Sequence, residues 1–178
     1  MSPKGPRQII ESFDTIEFMT DTLPEIRTLL EQTGDSFEVW DCNPDMADTA
    51  VFCEHYGVSL ENSANTILIK SKTGEPKFAV CVLLATHRLD VNHTVRKKLG
   101  ARKVSFASAD ETQEITGMEI GGVTPLALPG EIPIWIDANV MQCDYIVLGG
   151  GNRTSKLKVN PKILNLLPKA EIVTGLVQ

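Results

Sequence analysis

The stretch NTILIKSKTGEPKFAVCVLLA, residues 65–85, decides the fold because it contains the clearest β-hairpin in the chain. Two runs rich in β-branched and other apolar residues flank the segment KTGEP, whose glycine and proline are typical of turns between strands. The second run, FAVCVLLA, is apolar at every position, so neighbouring elements must cover both of its faces. We therefore predict that this strand lies in the middle of a sheet.

The segments on either side of the hairpin predict further short helices and strands. Helices that end at a glycine are predicted from DTLPEIRTLLEQTG, ADTAVFCEHYGVS, LDVNHTVRKKLG and SADETQEITG. In the first of these, Asp21 or Thr22 is the predicted N-cap. Strands are predicted from SFEVWD, RKVSFA, IPIWID, CDYIVLG, KLKVN and AEIVTGLV, and a short helix from PKILNLLP. Because helices and strands do not alternate steadily, we predict an α+β domain around a mixed, mainly antiparallel sheet.

Length and composition favour one soluble domain. The 178 residues are 42% hydrophobic, which is sufficient for one sizeable core. The apolar runs are far shorter than the roughly 20 residues that cross a bilayer, and the first residues do not resemble a secretory signal. We therefore expect a cytoplasmic protein with no membrane partner.

The cysteines and histidines do not form a metal-binding pattern. The chain has four cysteines, none of them in a CxxC pair, and three histidines. Cys53 and His55 would point to different faces of a helix, which does not suit the binding of one zinc ion. We predict buried, reduced cysteines, no metal and no cofactor.

Positive charge is concentrated in the segment RKKLGARK, although the whole chain has a net charge of −6. The term basic run denotes its cationic residues, Arg96, Lys97, Lys98, Arg102 and Lys103. The basic run is either the phosphate-contacting rim of a nucleic-acid site or the solvated end of a helix.

The loop GGVTP, residues 121–125, combines glycines with a stiffening proline, and we call it the GxxxP loop. It has neither the GK[ST] of a phosphate-binding loop nor a GxGxxG fingerprint. Glycines without a Cβ allow successive N–H groups to converge on a carbonyl oxygen and stabilise the negative charge that develops there. The same glycines would also suit a tight connection between a helix and a strand.

A second glycine-rich segment, LGGGNRTSKLKVNP, also carries Arg153, Lys156 and Lys158. We call residues 149–154 the glycine turn, and taken alone it is typical of a hairpin. The sequence provides no recognisable Ser-His-Asp or Cys-His set. A hydrolase built on this chain would therefore depend on backbone dipoles or on its own substrate for catalysis.

Four blocks of sequence follow one another along the chain: GVSLENSANTILI, FAVCVLLATHRLDVNHTVRKKLGARKVSFASADETQEITGMEIGGVTPLAL, IPIWID and YIVLGGGNRTSKLKVNP. In this order they resemble the YbaK/prolyl-tRNA-synthetase-associated domain, a family of aminoacyl-tRNA deacylases and synthetase editing inserts. The resemblance implies an editing domain at residues 21–178 after an N-terminal extension, residues 1–20, and a twisted, barrel-like sheet with surrounding helices. It also implies hydrolysis of the ester that links a wrong amino acid to tRNA, with tRNA as partner and an aminoacyl-tRNA synthetase as a further candidate partner.

The resemblance assigns roles to particular residues. The backbone of the GxxxP loop would bind the aminoacyl carbonyl as an oxyanion hole, and a ribose hydroxyl of the terminal adenosine would assist the attack. The loop residues are Gly121, Gly122, Val123, Thr124 and Pro125. The substrate-binding residues are Gly149, Gly150, Gly151 and Arg88. The basic run would contact the acceptor stem of the tRNA.

Asn65 departs from the family pattern, in which a lysine usually stands at the start of the first hairpin strand. Asparagine offers a neutral amide in place of a cation, and Lys70 lies on the opposite face of the strand by period-2 alternation. We predict that Asn65 orients the substrate in a working deacylase. The alternative is a protein that has lost catalysis with the lysine and binds an aminoacyl group, a free amino acid or a protein.

Overall fold

The computed structural model describes residues 21–178, so the predicted extension at residues 1–20 lies outside the described residues. The helices are α1 (Pro24–Thr33), α2 (Thr49–Tyr56), α3 (Arg96–Leu99, after a π-helical turn at Val91–Val95) and α4 (Ala109–Thr116). Shorter 3₁₀ turns are found at Pro44–Met46, Val140–Gln142 and Pro161–Leu166. The strands are β1 (Glu38–Asp41), β2 (Ala64–Ser71), β3 (Phe78–Leu84), β4 (Val104–Phe106), β5 (Ile134–Asp137), β6 (Ile146–Gly149), β7 (Ser155–Val159) and β8 (Ala170–Val173).

The predicted hairpin forms the centre of the larger sheet. Strands β2 and β3 pair in an antiparallel arrangement, with Ala64 opposite Leu84. The sheet has the order β4-β2-β3-β5-β8, so β3 is flanked on both sides. Along β3, Val80 enters one core cluster and Cys81 enters another on the opposite face. The prediction of a central strand that is covered on both faces is confirmed.

A smaller antiparallel sheet, with the order β1-β7-β6, meets the larger sheet at a bridge between Ser63 and Val147. The pairs β3–β5 and β5–β8 are parallel, and the other strand pairs are antiparallel. The predicted α+β class with mixed, mainly antiparallel sheets is confirmed. In the part of the chain that the structure describes, no helix has both the length and the apolar character needed to span a membrane.

The start of α1 differs from the prediction. Its N-cap is Leu23, which makes no side-chain capping bond, whereas Asp21 or Thr22 was predicted. The hydroxyl of Thr22 instead donates to the carbonyl oxygen of Gly150 at 2.7 Å, and the N–H of Leu23 donates to the same oxygen at 3.3 Å. The residues before α1 therefore attach the helix to the glycine turn.

Helix α4 begins with an N-cap at Ser108, which forms a reciprocal capping box with Glu111. The Glu111 carboxylate also pairs with Lys70 on β2. The hydrogen bond from Lys70, followed by the backbone bond to Ser108, lowers the pKa of Glu111 to about 2. This pair joins α4 to the larger sheet.

All four cysteines are free. Cys42, Cys53 and Cys81 are buried as predicted, and Cys143 is only partly buried. Burial raises the pKa of the Cys81 thiol to about 12, which keeps it protonated in the core.

Candidate active site

A pocket of about 460 Å³ lies where α2, the start of β2, the end of β6 and the GxxxP loop come together. Its volume is within the range of roughly 300–1,000 Å³ that is common for small-molecule sites. Apolar groups, hydroxyls, one amide, one carboxylate and one lysine form its wall. The lining residues are Asp48, Thr49, Phe52, Ser63, Ala64, Asn65, Thr66, Ile67, Leu68, Phe106, Ala107, Thr112, Ile120, Gly121, Val123, Val147, Leu148, Gly149 and Lys156.

The GxxxP loop contributes some of its residues to this wall. Gly121 and Val123 line the pocket, whereas Gly122 does not. Thr124 is fully buried, and Pro125 lines a separate groove beside α1. The loop therefore presents alternate residues to the pocket rather than its whole length.

The backbone donors of the GxxxP loop differ in their availability. The N–H of Gly122 donates to the carbonyl oxygen of Glu119 at 2.9 Å. Among residues 21–178, no acceptor is found for the N–H of Gly121 or the N–H of Val123. Gly121 has a φ of 92°, in the left-handed region that favours glycine. Two unengaged N–H donors thus belong to residues of the pocket wall.

Glycines allow the GxxxP loop and the glycine turn to touch backbone to backbone. A Cβ on Gly149 would lie 2.6 Å from the carbonyl oxygens of Gly122 and Val123. A Cβ on Gly122 would collide with the backbone of Asn152. The N–H of Gly151 donates to the carbonyl oxygen of Gly122 at 2.7 Å. A side chain at Gly122 or Gly149 would force the two segments apart.

The glycines of the turn that were predicted to bind substrate have different surroundings. Gly149 lines the pocket. Gly150 is packed against Ser155, and Gly151, with a φ of 86°, is packed against Leu23 at the start of α1. Gly150 and Gly151 therefore set the shape and position of the turn without lining the pocket.

Asn65 lies in the pocket wall on β2. Its side-chain oxygen accepts a hydrogen bond from the hydroxyl of Thr49 at 2.6 Å. Its amide nitrogen has no partner within residues 21–178, so it remains available as a donor. Lys70 does not line the pocket and is paired with Glu111, in agreement with its predicted position on the other face of the strand.

Lys156 supplies a cation that the sequence did not indicate for the pocket. Its side chain is only 5% exposed, and its ammonium donates to the carbonyl oxygens of Ala47 at 2.6 Å and Gly121 at 2.7 Å. The ammonium also lies 5.2 Å from the centre of the Phe52 ring. Burial lowers the pKa of Lys156, because the charged form is disfavoured away from water.

Strand alternation cannot identify Lys156, because Lys158 lies on the same face of β7 by period 2. The two differ in their neighbours. Lys158 pairs with Glu38 at 3.4 Å near the start of β1, and its side chain is 32% exposed. Only the tertiary arrangement of α2 and the GxxxP loop over Lys156 distinguishes the two lysines.

Arg88 and the basic run lie apart from the pocket wall. Arg88 is exposed, and its carbonyl oxygen accepts from the N–H of Gln178 at 2.9 Å. Lys98 pairs with Glu171 at 2.6 Å and lies over the Trp135 ring. The exposed members of the basic run are Arg96, Lys97, Arg102 and Lys103.

The pocket holds no histidine, so its hydroxyl groups have no imidazole base beside them. The Ser63 hydroxyl contacts the carbonyl oxygen of Ser59 at 3.0 Å and the Cys53 sulfur at 3.1 Å. Within residues 21–178, no group of three His, Cys, Asp or Glu side chains is arranged to hold a metal ion. The chemistry that this wall offers is hydrogen bonding from the backbone, from hydroxyl groups, from Asn65 and from a buried ammonium, together with the carboxylate of Asp48.

Comparison with solved structures supports the fold assignment. The protein APE2540, described as hypothetical, aligns with a TM-score of 0.73 and 23% identity over 86% of this chain and 99% of that chain. A protein described as a candidate trans-editing enzyme for prolyl-tRNA synthetase aligns with a TM-score of 0.69 and 19% identity over 88% of this chain and 98% of that chain.

Comparison of sequences identifies the family. The chain is 26% identical over 144 residues to the uncharacterised protein YwhH of Bacillus subtilis (strain 168), an alignment that covers 81% of this chain and 89% of YwhH. The family model described as the aminoacyl-tRNA editing domain matches residues 43–166, which include β2, the GxxxP loop, the glycine turn and Lys156. The chain therefore belongs to the aminoacyl-tRNA editing domain family.

Proposed function

We propose that this protein is an aminoacyl-tRNA deacylase that hydrolyses the ester between a wrongly attached amino acid and its tRNA. Membership of the editing-domain family supports the reaction class. The observation that carries the proposal is the pair of unengaged N–H groups, on Gly121 and Val123, at the wall of a pocket large enough for a small ligand. Such donors stabilise the negative charge that develops on a carbonyl oxygen during acyl transfer.

In the proposed reaction, the aminoacyl carbonyl oxygen accepts hydrogen bonds from the N–H groups of Gly121 and Val123. Water adds to the carbonyl carbon, the bond from that carbon to the ribose oxygen breaks, and the ribose oxygen takes up a proton. The products are the free amino acid and tRNA with its terminal hydroxyl restored. As the resemblance to the editing domains implies, we assign assistance in proton transfer to the neighbouring ribose hydroxyl of the substrate, and no histidine lines the pocket.

Asn65 takes the role of a polar orienter in this proposal. Its side-chain oxygen is held by Thr49, which leaves the amide nitrogen as a directional donor of β2 at this wall, beside the unpartnered hydroxyl of Thr66. A neutral donor positions a carbonyl or hydroxyl group but adds no charge to the site. The catalytic contribution of charge would therefore have to come from another residue.

The pocket wall also supports selection of small amino acids. Phe52, Val147 and Leu148 contribute apolar surface to it, and a methylene that does not fit an apolar pocket costs about 1–3 kcal/mol. At the mouth, Phe106 is 55% exposed and Ile120 is 45% exposed. An exposed aromatic face is suited to stacking of a nucleobase, and we assign Phe106 to the terminal adenine.

The proposal is tested by deacylation of prolyl-tRNA isoacceptors that carry alanine, cysteine or serine. We expect at least one of them to be hydrolysed faster by the protein than by buffer alone. Absence of hydrolysis for every substrate in a wider panel of mischarged tRNAs would refute the deacylase proposal. Binding of a stable aminoacyl-adenosine amide without any hydrolysis would favour the alternative of a binding protein.

A further inference from the structure

The glycine turn and the strand that follows it bind three successive carbonyl oxygens at the start of the GxxxP loop. Arg153 Nη1 donates to the carbonyl oxygen of Ile120, and Lys156 Nζ donates to that of Gly121 at 2.7 Å. The N–H of Gly151 donates to the carbonyl oxygen of Gly122 at 2.7 Å. One short segment of the chain thus fixes the orientation of consecutive peptide planes.

Fixing a carbonyl also fixes the N–H of the same peptide, because the two bonds point in opposite directions in a planar trans peptide. With its carbonyl oxygen on Arg153, the peptide between Ile120 and Gly121 directs the N–H of Gly121 away from Arg153. The peptide between Gly122 and Val123 has its carbonyl oxygen on the N–H of Gly151, so it directs the N–H of Val123 away from the glycine turn. Neither of these N–H groups has an acceptor among the described residues.

Arg153 connects this arrangement to the start of α2. Its Nε and Nη2 atoms donate to the carbonyl oxygen of Pro44 at 3.0 Å and 2.7 Å, and its Nη1 lies 3.3 Å from a carboxylate oxygen of Asp48. One planar guanidinium therefore binds the chain before α2 and the GxxxP loop at the same time. Its fixed geometry makes it a rigid spacer between the two walls of the pocket.

Lys156 is a buried cation that lacks a carboxylate partner. Within residues 21–178 it forms no ion pair, and its contacts are two carbonyl oxygens and the Phe52 ring. The Asp48 carboxylate of the same wall acts on it through space without direct contact. A buried charge without an ionic partner is costly, so its position in a pocket wall calls for a compensating role. Negative charge that appears in the pocket during a reaction would supply the missing partner for this ammonium.

We infer that Arg153 and Lys156 are positioning residues that hold the GxxxP loop in its oxyanion-binding conformation, and that the ammonium of Lys156 adds positive charge beside that oxyanion. This inference rests on the proposed deacylase function. Asn65 on β2 provides no positive charge. In this inference the charge comes from Lys156, which lies on a different strand, β7. It also explains why the glycine turn is built so closely against the loop.

The test compares Lys156→Met and Arg153→Gln with Lys158→Met, a matched control that removes a lysine from the same strand outside the pocket. On the misacylated tRNA that the wild-type protein cleaves best, we expect kcat to fall about 10²-fold for Lys156→Met and Arg153→Gln. KM should change by less than about threefold, because the ground state makes little use of the oxyanion contacts. Arg153→Lys should recover part of the loss, and Lys158→Met should leave kcat unchanged.

Folding and loop order are measured in the same variants by thermal unfolding and by amide hydrogen exchange. We expect the amides of Gly122 and Gly151, whose hydrogen bonds belong to the packed loops, to exchange faster in Lys156→Met and Arg153→Gln than in Lys158→Met. Should Lys156→Met fail to fold, Arg153→Gln alone decides the comparison, because its guanidinium is partly exposed.

Failure of the inference can be separated from failure of the proposed function. If the wild-type protein cleaves a misacylated tRNA and both variants keep kcat within about twofold of it, the inference is overturned and the deacylase proposal stands. If the wild-type protein cleaves none, the deacylase proposal falls and hydrogen exchange decides the positioning claim. Unchanged exchange at Gly122 and Gly151 in both variants would then overturn it.

Discussion

The pocket and the basic run use the same kind of side chain in opposite surroundings. Lys156 in the pocket and Lys98 in the basic run each place an ammonium over an aromatic ring, at 5.2 Å from Phe52 and 5.3 Å from Trp135. Lys98 also has a carboxylate partner, Glu171, at 2.6 Å. Lys156 is held by backbone carbonyl oxygens instead. The Lys98 ammonium is paired with a carboxylate, whereas the Lys156 ammonium lies in the pocket wall without an ion pair among the described residues.

This difference shows that the density of charge along a sequence is a poor guide to the site where charge acts. Exposed cations are screened by water and salt, so a single one contributes little. A cation that is shielded from water interacts more strongly with any charge that forms near it. We therefore expect changes in the pocket to affect catalysis and changes in the basic run to affect the binding of tRNA.

The largest effect is expected for Gly121→Ala in the pocket. The added methyl group would meet the Arg153 guanidinium, and the φ of 92° is unfavourable for alanine. Both changes displace the N–H donor, so we expect kcat for deacylation to fall about 10²–10³-fold. The matched control is Gly74→Ala in the hairpin turn, where φ is 80° but no atom lies within 4 Å of the added Cβ. Equal activity of the two variants would contradict the role of the GxxxP loop.

A smaller effect is expected when charge is removed from the basic run by Arg102→Gln combined with Lys103→Gln. Both side chains are exposed, and each phosphate contact that is lost should reduce the salt dependence of tRNA binding by about one unit of slope. We expect a higher KM with little change in kcat. The measurement is tRNA affinity at several salt concentrations, with Lys162→Gln as a control for the loss of one exposed charge outside the basic run. An unchanged slope would exclude the basic run from the tRNA contact.

The third prediction concerns stability at alkaline pH. Burial lowers the pKa of Lys156 in the folded protein below its ordinary value of 10.5, so the unfolded chain binds more protons between those two values. The contribution of Lys156 to the free energy of unfolding should therefore rise as the pH increases through this window, whereas the Cys81 thiol, with its raised pKa, contributes a fall in all three proteins. Lys156→Met should lack this rise, whereas Lys98→Met should keep it. Denaturant unfolding of the three proteins across the alkaline range provides the comparison.

The smallest effect is expected at the Glu111–Lys70 pair, which joins α4 to β2 at the surface. The folded pKa of Glu111 is about 2, below the ordinary value of 4.5, so its contribution to stability is present above pH 4.5 and is lost as the pH falls toward 2. Glu111→Gln should slightly lower the melting temperature at neutral pH, and the difference from wild type should shrink through that acidic window. A difference that does not depend on pH would contradict this assignment.

Much of the fold was predictable because its signals are local. The two apolar runs around KTGEP predicted β2 and β3, and the glycines after α1, α2, α3 and α4 marked the helix ends. The N-cap of α1 was predicted wrongly because Thr22 bonds to Gly150, a partner 128 residues away. No local pattern contains such a contact.

The candidate site was predictable in its position but not in its composition. The GxxxP loop, Asn65 and Gly149 were singled out from the sequence, and the structure brings them to one pocket. Lys156 was seen only as one cation of a glycine-rich segment, because its burial depends on α2 and on a loop 35 residues earlier in the chain. Alternation along β7 assigns Lys156 and Lys158 to the same face and cannot distinguish them.

The most direct test of the central claim is a crystal structure with a stable amide analogue of an aminoacyl adenosine. The account predicts that the carbonyl oxygen of the analogue lies about 2.7–3.2 Å from the backbone nitrogen atoms of Gly121 and Val123, with Lys156 still bound to the carbonyl oxygen of Gly121. An analogue whose carbonyl oxygen lies on other groups, or that binds outside this pocket, would contradict the account.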